Sequence, residues 1–437
     1  MTGAAAARGA WWRDALVLAV AALAVRVAYV AGIVARYGAQ QTGDAEYMNQ
    51  LGQSLAAGRG FVLASGERVY NQSVGYPALL AVLYRAFGAD ARVAMAANVL
   101  LGAASVVLVF ALARAVLRAG PPGVPARRVA GGAGALAALY PDSLLTASML
   151  SAENLLVPLL LGALLAALWR TPRDGVAGAL VGVLAAGAAS AKALVLFGFV
   201  PLPLVWVAAR RRPLVRTVAA AATAAVVLAP WTYVNYRDSG GHLVPFSAVA
   251  GEVFLDGNNP RARGRPSGVM SLGAAVEAGH DKIEVDRMKL RRALGYIRER
   301  PGWYARLLAL KFVHALSPVR DSAFETPGEP RLFTPALSRW APTLFNAALL
   351  GGVVAGCVAL WGHAVARAVA ASQVIGAFAV QLIFAAFTRY RYPFLVALLP
   401  VAALGMLTVA HALRRRREEG PRRPTHPGPT RRSPAAP

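Results

Sequence analysis

The run ALVLAVAALAVRVAYVAGIV, residues 15–34, decides the fold class of this chain. It contains a single charged residue, Arg26, and its length matches the roughly 20 mostly apolar residues that a helix needs to cross a bilayer. The same character extends over all 437 residues, of which 57% are hydrophobic and only 15% are charged. Soluble domains are about half apolar and about a quarter charged. The composition therefore excludes an ordinary soluble enzyme and predicts a multi-pass membrane protein.

The chain is strongly basic, with 46 Lys and Arg residues against 21 Asp and Glu residues and a net charge of +25. The basic residues fall in short clusters between apolar runs, as they do in the cytoplasmic loops of polytopic membrane proteins. This placement favours a membrane protein over a nucleic-acid-binding protein. The single cysteine, Cys357, excludes an internal disulfide and any metal site built from several cysteines.

Further apolar runs bring the predicted number of spanning helices to about ten. With the N-terminus in the cytoplasm, this number places the arginine clusters at 210–216 and 414–417 on the cytoplasmic side. Residues 303–316 are too few to span and carry Arg306 and Lys311, so we interpret them as an interfacial amphipathic helix. The further runs lie at about 92–117, 129–147, 152–169, 175–190, 192–209, 214–234, 340–361, 364–387 and 392–413.

These predictions divide an all-α polytopic chain into four parts. Residues 1–235 hold seven spanning helices and an outer loop, 36–90, whereas residues 236–339 form an extracytoplasmic segment with interfacial helices. Residues 340–413 hold three more spanning helices, and 414–437 form a basic cytoplasmic tail that is predicted to be disordered. Both termini are then cytoplasmic, and the expected location is the plasma (inner) membrane.

The outer loop contains a short predicted helix that begins with TGDAEYMNQL, residues 42–51, and stops at Gly58. Asp44 lies in its first turn. One interpretation is that Asp44 caps the helix and offsets its dipole. The other is that Asp44 is a catalytic carboxylate at the membrane surface, which takes a proton from a hydroxyl nucleophile. Glu46 lies about 200° further round the helix, given 3.6 residues per turn. A second short helix, 75–88, begins near Pro77 and suits the interface better than a span.

Three further charged positions lie at the outer ends of predicted spans. Glu153 either caps its helix or contributes to a site, and Lys192 either extends to the interface or binds a lipid phosphate. The last outer turn, TRYRYP, contains Arg389 and Arg391 on the side where arginine is uncommon. Because the arginine fork binds phosphate well, this turn indicates an anionic ligand at the membrane surface, with two solvated arginines as the alternative.

The order of these motifs resembles that of the bacterial members of the protein O-mannosyltransferase superfamily. This group of GT-C membrane glycosyltransferases includes the transferase that adds aminoarabinose to lipid A. The motifs extend from the first predicted span to the last. They are Asp44-Ala45-Glu46-Tyr47, Gly58-Arg59-Gly60-Phe61, Gly75-Tyr76-Pro77, Ser151-Ala152-Glu153, Pro230-Trp231, Asn235-Tyr236, Gly257-Asn258-Asn259-Pro260, Tyr296-Ile297, Pro301, Lys311 and Arg389-Tyr390-Arg391-Tyr392-Pro393.

The resemblance implies a GT-C-like fold and an inverting transferase that uses a polyprenyl-phosphate-linked sugar on the extracytoplasmic face. It implies Asp44 as the catalytic base, and it implies that Lys192, Arg389 and Arg391 bind the donor phosphate. No cofactor is predicted, and a divalent metal stays open. The expected partners are the lipid-linked sugar, the bilayer and an acceptor of unknown class, but no nucleic acid. Residues expected to contact substrate are Glu46, Tyr47, Tyr76, Glu153, Asn258 and Tyr390.

Two other classes of protein fit parts of the sequence. A transporter or flippase would share the many spans, but it keeps charged residues near the membrane midplane and often has repeated halves. A polymerase or ligase of lipid-linked glycans would share the outer site and the arginines. The outer position of the candidate charges favours the sugar transferase over both.

Overall fold

The computed structural model describes residues 2–117, 124–319, 335–360 and 362–419. Within these ranges the chain is helical, and its only β feature is an isolated bridge between Val62 and Arg68. Together with the seven apolar helices described below, this helical content confirms the prediction of an all-α polytopic membrane protein. The helices are α1 (Thr2–Tyr37), α2 (Asp44–Ala56), α3 (Gly75–Phe87), α4 (Ala91–Val116), α5 (Ala126–Leu139), α6 (Pro141–Ala147), α7 (Glu153–Ala167), α8 (Asp174–Ala191), α9 (Leu196–Phe199), α10 (Leu202–Ala208), α11 (Pro213–Asp238), α12 (Ala250–Gly257), α13 (Ala274–Glu277), α14 (Lys282–Glu299), α15 (Pro301–Ala315), α16 (Pro335–Ala359), α17 (Ala364–Ile383) and α18 (Thr388–Glu419).

Seven of the described helices, α1, α4, α8, α11, α16, α17 and α18, are long and apolar enough to cross a membrane. The remaining predicted spans are shorter or interrupted. Helix α7 has 15 residues, the apolar stretch Ala193–Ala208 comprises a 3-10 turn with α9 and α10, and the span predicted at 129–147 is divided into α5 and α6. The structure does not confirm the number of ten.

The division between α5 and α6 occurs at Pro141, which has no N–H to donate to the carbonyl of Ala137 four residues earlier. The guanidinium of Arg26 on α1 takes the place of that donor. Its Nη2 atom lies 3.2 Å from the Ala137 oxygen and 2.9 Å from Oγ of Ser143, and Nη1 lies 3.4 Å from the Ala138 oxygen. The one charged residue of the first apolar run is thus fully buried against the helix break.

Small residues bring the apolar helices close together, as is typical of helix packing in membranes. A Cβ atom at Gly182 on α8 would lie 2.3 Å from the carbonyl oxygen of Ala220 on α11. A Cβ at Gly356 on α16 would lie 2.0 Å from the oxygen of Val401 on α18. These contacts leave no space for a side chain, so they fix the lateral positions of the helix pairs.

The two short helices of the predicted outer loop, α2 and α3, form as the sequence predicts and pack against each other. Helix α2 stops before Gly58 and α3 stops before Gly88, and both glycines have positive φ angles, 72° and 93°. Tyr84 on α3 donates a hydrogen bond of 2.7 Å to Oδ1 of Asn49 on α2. Arg85 donates to the carbonyls of Ala56 and Leu55 at the end of α2.

The C-terminal tail begins later than the sequence predicts. We expected disorder from residue 414 onward, but α18 continues to Glu419. The segment 414–419 consists of arginine and glutamate, which are good helix formers and extend an existing helix at little cost. The rest of the predicted disordered tail, 420–437, lies outside the described residues.

Candidate active site

Four charged residues from distant parts of the chain meet at one end of the helix bundle. Asp44 opens α2, Glu153 opens α7, Lys192 follows the last residue of α8, and Arg389 is the second residue of α18. All four were predicted as site residues. Each lies at a helix end, so the cluster occupies the surface layer of the bundle rather than its middle.

Arg389 is the centre of the cluster because its guanidinium contacts both carboxylates. Nη1 lies 2.8 Å from Oδ2 of Asp44, and Nε lies 2.8 Å from Oε1 of Glu153. Nη2 lies 3.3 Å from Oε2 of Glu153 and 3.4 Å from Oγ of Ser151. The planar fork of arginine suits this arrangement, since it directs several donors into one plane.

Glu153 is the buried carboxylate of the cluster, with only 1% of its side chain exposed. Lys192 donates to Oε1 at 2.6 Å, Arg389 donates to both carboxylate oxygens, and the Ser151 hydroxyl donates to Oε2. Glu153 caps nothing with its side chain, which corrects the helix-cap interpretation. A carboxylate this well buried is held in its charged form by its two cations. Its hydrogen bonds hold both cations in place.

Asp44 differs from Glu153 in its exposure, since 64% of its side chain is accessible. The N-cap position of α2 is Gly43, which has no side chain, and the Asp44 carboxylate forms no capping bond. Asp44 therefore does not cap α2, although its position in the first turn still lets its charge offset the helix dipole. One carboxylate oxygen is held by Arg389, while the exposure of the group keeps it accessible to a molecule that approaches from the bundle end.

Lys192 and Tyr390 form the side of the cluster next to Glu153. The Lys192 ammonium lies 5.4 Å from the centre of the Tyr390 ring, in a cation–π contact. The Lys192 side chain is 23% exposed and the Arg389 side chain 22% exposed. Both cations are thus partly accessible, unlike the carboxylate beneath them.

Arg391, predicted as a phosphate ligand, lies apart from the cluster. Its guanidinium is buried, and it donates hydrogen bonds of 2.7 Å to the carbonyl oxygens of Ala315 and Ser317. These carbonyls lie at the end of α15, where the last turn of a helix has no internal donors for them. The assignment of Arg391 as a phosphate ligand is therefore corrected. Its hydrogen bonds join α15 to α18, although it is only two residues from Arg389.

Asn258, predicted as a substrate contact, is fully buried with both ends of its amide in use. Its Nδ2 atom donates to the oxygens of Phe254 and Ile383 at 2.8 and 2.9 Å, and its Oδ1 atom accepts from Lys311 Nζ at 2.7 Å. Lys311 also donates to the oxygen of Leu382 at 3.1 Å. This assignment was wrong, because the amide joins α12 and α15 to the end of α17 and has no atom left for a ligand.

Glu46, Tyr47 and Tyr76 surround the cluster without joining it. Glu46 accepts hydrogen bonds from Gln50 at 3.1 Å and from Asn49 at 3.5 Å on its own helix.

Tyr47 packs beside Leu51, Phe61 and Val69, and its hydroxyl contacts Asn71 Oδ1 at 3.4 Å. Burial raises the pKa of Tyr47.

Tyr76 lies behind the cluster, fully buried, and donates a bond of 2.9 Å to Asn98 Oδ1. Burial is the largest cause that raises the pKa of Tyr76, and the nearby charge of Glu153 adds to it. The Asn98 amide in turn donates to the carbonyl of Met149, shortly before Ser151. Tyr76 therefore supports the segment that carries Glu153 and does not face a ligand.

Ser151 contacts two residues of the cluster, Glu153 and Arg389, and residue type alone did not single it out. The motif Ser151-Ala152-Glu153 was visible in the sequence, but a serine two residues from a carboxylate has many ordinary roles.

In the described residues, no group of three or more His, Cys, Asp and Glu side chains could hold a metal ion.

Comparisons with known proteins give two solved structures of low similarity. No family model matches the chain, and no curated protein sequence matches it significantly. A crystal structure of ArnT from Cupriavidus metallidurans bound to undecaprenyl phosphate is 14% identical, covers 88% of this chain and 77% of that chain, and has a TM-score of 0.40. The apo structure of the same protein is 17% identical, with coverage of 87% and 77% and a TM-score of 0.36. Because these values are low, the function of this chain is inferred from the geometry of its own cluster.

Proposed function

We propose that this chain is an inverting membrane glycosyltransferase, which moves a sugar from a polyprenyl-phosphate-linked donor to an acceptor hydroxyl on the extracytoplasmic face. The observation that carries the proposal is the meeting of the exposed Asp44 carboxylate with the Arg389 guanidinium and the Lys192 ammonium at one end of an apolar bundle. A base and two cations are the groups that such a transfer requires.

The reaction forms one carbon–oxygen bond, breaks one carbon–oxygen bond and transfers one proton. The acceptor oxygen attacks the anomeric carbon and loses its proton to Asp44, and the bond between that carbon and the phosphate oxygen breaks. The polyprenyl phosphate leaves with the electron pair, and attack from the opposite side inverts the anomeric centre. Arg389 and Lys192 stabilise the charge that develops on the phosphate, in a site where they are already oriented by Glu153.

The position of the cluster favours this function over transport. A transporter binds its substrate near the bilayer midplane, often between repeated halves. Here the charged residues lie at the ends of α7 and α8 and at the start of α18, in the surface layer. This layer is where the head group of a lipid-linked sugar meets an acceptor from the aqueous side.

The test is transfer of radiolabelled sugar from polyprenyl-phosphate donors by membranes that contain wild type or Asp44→Asn at equal protein levels. We expect labelled product from the wild type and a loss of at least about 100-fold in the variant, the range for removal of a general base. Asp90→Asn is the matched control. Asp90 lies in the same outer loop and caps α4 by accepting from Arg92 N, and asparagine caps helices equally well. Full activity of Asp44→Asn would remove Asp44 as the base.

A further inference from the structure

A groove on the surface of the bundle lies at the end opposite the Asp44 cluster. It has a volume of about 700 Å³ and is bounded by α4, α7, α8 and the turn that follows α7. Glu153 of the cluster begins α7, whereas the groove lies at the other end of that helix. None of the residues that line the groove belongs to the cluster, so the proposed sugar transfer does not account for it.

Helix α7 forms the floor of the groove. Gly162, Leu165 and Ala166 line it and are three and four positions apart, which places them on one face of α7. Helices α4 and α8 both pack against α7 and form the two walls, where Ala115 and Leu180 line the groove. The floor and walls are apolar, so the groove suits a hydrocarbon chain.

The absence of a side chain at Gly162 creates part of this space. A Cβ atom built there would meet only the side chain of Leu184, at 3.6 Å, which is an ordinary van der Waals contact. At Gly182 on α8, by contrast, a Cβ would lie 2.3 Å from a backbone oxygen of α11. Gly182 is therefore needed for helix packing, whereas Gly162 leaves room that a larger residue could fill.

The length of the groove distinguishes a lipid from a partner helix. Leu108 and Ala115 line the groove from α4 and are seven positions apart, which corresponds to about 10 Å along a helix. A spanning helix passes through about 30 Å of hydrocarbon, so the groove would cover about a third of it. The hydrocarbon of a single leaflet is about half as thick, so a groove of this length matches one acyl chain that descends from the membrane surface.

Positive charge is concentrated at the mouth of the groove. Arg170 lines the groove and is exposed, and within the described residues its side chain contacts no carboxylate. Nη1 of Arg211 lies 3.4 Å from the carbonyl oxygen of Thr171, so a second arginine lies beside the same turn. The carboxylate that begins α8, Asp174, is paired with Arg216 at 2.7 Å. The charges of Arg170 and Arg211 are therefore available to an anion.

Trp169 indicates the depth of the mouth in the membrane. It lines the groove, is 47% exposed and directly precedes Arg170. Tryptophan is enriched at the level of the lipid head groups, where its ring contacts hydrocarbon and its N–H contacts water. Arg170 therefore lies at the height where phospholipids carry their phosphate, and the apolar floor begins below it.

We propose that this groove binds an anionic phospholipid of the leaflet opposite the Asp44 cluster, with the phosphate at Arg170 and one acyl chain along Gly162 and Ala166. Guanidinium groups bind phosphate oxygens through paired N–H donors and stay charged. Basic pockets between spanning helices bind anionic lipid head groups in this way. The inference does not depend on the proposed function, because the groove and the cluster share no residue.

The test measures the affinity of the purified full-length protein for phosphatidylglycerol and for phosphatidylethanolamine with the same acyl chains, by native mass spectrometry. Arg170→Gln removes the charge at the mouth, and Gly162→Leu fills the floor. The control for the first variant is Arg128→Gln, an exposed arginine of α5 that does not line the groove. The control for the second is Gly131→Leu on α5, where a Cβ would meet no atom within 4 Å.

We expect Arg170→Gln to lower the affinity for phosphatidylglycerol about fivefold, the effect of one arginine at a lipid surface, and to leave phosphatidylethanolamine binding within about twofold. Gly162→Leu should lower the affinity for both lipids at least about fivefold, because its side chain occupies the space of the acyl chain. Both controls should stay within about twofold of wild type. Arg170→Gln tests the site by itself if Gly162→Leu does not fold, because Arg170 is exposed.

Three results would overturn the inference. Unchanged phosphatidylglycerol affinity in Arg170→Gln would show that the phosphate does not bind there. An equal loss in Arg128→Gln would show a general attraction of anionic lipids to a basic surface. Dimers of the wild type that Gly162→Leu dissociates, with lipid binding unchanged, would assign the groove to a second copy of the chain.

Discussion

Nη1 of Arg389 lies 2.8 Å from Oδ2 of Asp44, although the two residues are 345 positions apart in the chain. The same guanidinium contacts Glu153 through Nε. In this arrangement the exposed carboxylate that is proposed to take a proton is also bound to a cation. A phosphate that enters the site competes with Asp44 for the N–H groups of Arg389. Binding of the lipid-linked sugar is therefore linked to release of the Asp44 carboxylate from Arg389.

The first prediction concerns this link. In Arg389→Lys, a single ammonium replaces the fork, and it cannot keep all of the bonds to Asp44 and Glu153. We expect kcat/KM for sugar transfer to fall at least about 100-fold, because the phosphate loses a preorganised partner in the transition state. Steady-state kinetics in membranes at matched protein levels measure this. The conservative change Arg306→Lys on α15 is the control, and it should retain activity.

The second prediction concerns the buried carboxylate. Glu153→Gln leaves Lys192 and Arg389 beside an uncharged amide, and removing one partner of a buried ion pair typically costs about 3–5 kcal/mol. We expect a marked fall in the melting temperature of the detergent-purified protein. Asp14→Asn removes one partner of the largely exposed Arg127 pair, which contributes far less to stability. Similar melting temperatures for the two variants would show that Glu153 contributes no more to stability than a largely exposed ion pair does.

The third prediction separates the two arginines of the last outer turn. Arg391→Gln removes bonds to the carbonyls of Ala315 and Ser317, and leaving buried acceptors unpaired costs about 1–3 kcal/mol each. We therefore expect lower stability but an unchanged KM for the lipid donor in the protein that remains folded. Arg389→Gln should raise the donor KM, and it should also lower stability, because it removes one partner of the buried Glu153 carboxylate. A raised donor KM in Arg391→Gln at unchanged stability would restore its assignment as a phosphate ligand.

The fourth prediction concerns pH. Burial lowers the pKa of Lys311 to about 7, whereas the unfolded chain has a lysine pKa of about 10.4. Between these values the unfolded state binds a proton that the folded state does not, so the stability contributed by this site rises with pH by up to about 1.4 kcal/mol per unit. The rise begins near pH 7 and ends near pH 10.4.

Lys311→Met is the test of this pH dependence. Methionine has no titrating group, so the rise in melting temperature between pH 7 and 10 should be smaller in the variant than in wild type. Lys282→Met is the control, because it replaces an exposed lysine on α14 by the same residue. Parallel curves for wild type and Lys311→Met would show that Lys311 does not titrate in this range.

The sequence predicted the membrane class and the four members of the cluster, because a charged residue at the end of an apolar run has few ordinary roles. Glu153, Lys192 and Arg389 were each recognisable in this way, whereas Asp44 was recognisable as a carboxylate in the first turn of the short helix in the predicted outer loop. The sequence could not distinguish the role of Arg389 from that of Arg391. Two arginines on one helical turn look alike until the packing of their helix is known. Residues 389 and 391 are two positions apart and point to opposite sides of α18, one toward Glu153 and one toward α15.

The number of spans was harder to predict for a related reason. Hydropathy measures how apolar a stretch is, but the division at Pro141 depends on a donor supplied by another helix. Likewise Asn258 was conspicuous in its motif, although only the fold shows that both ends of its amide are occupied by Lys311 and by backbone carbonyls.

The contact between Arg26 and the break at Pro141 has an evolutionary consequence. The carbonyl of Ala137 needs the guanidinium only because proline offers no N–H, and the guanidinium tolerates burial only because that carbonyl and its neighbours accept its bonds. Replacement of either residue alone leaves a buried polar group unsatisfied, so the two positions are expected to covary. In an alignment of descendants of the same ancestor, sequences with an uninterrupted fifth helix should carry an apolar residue at position 26.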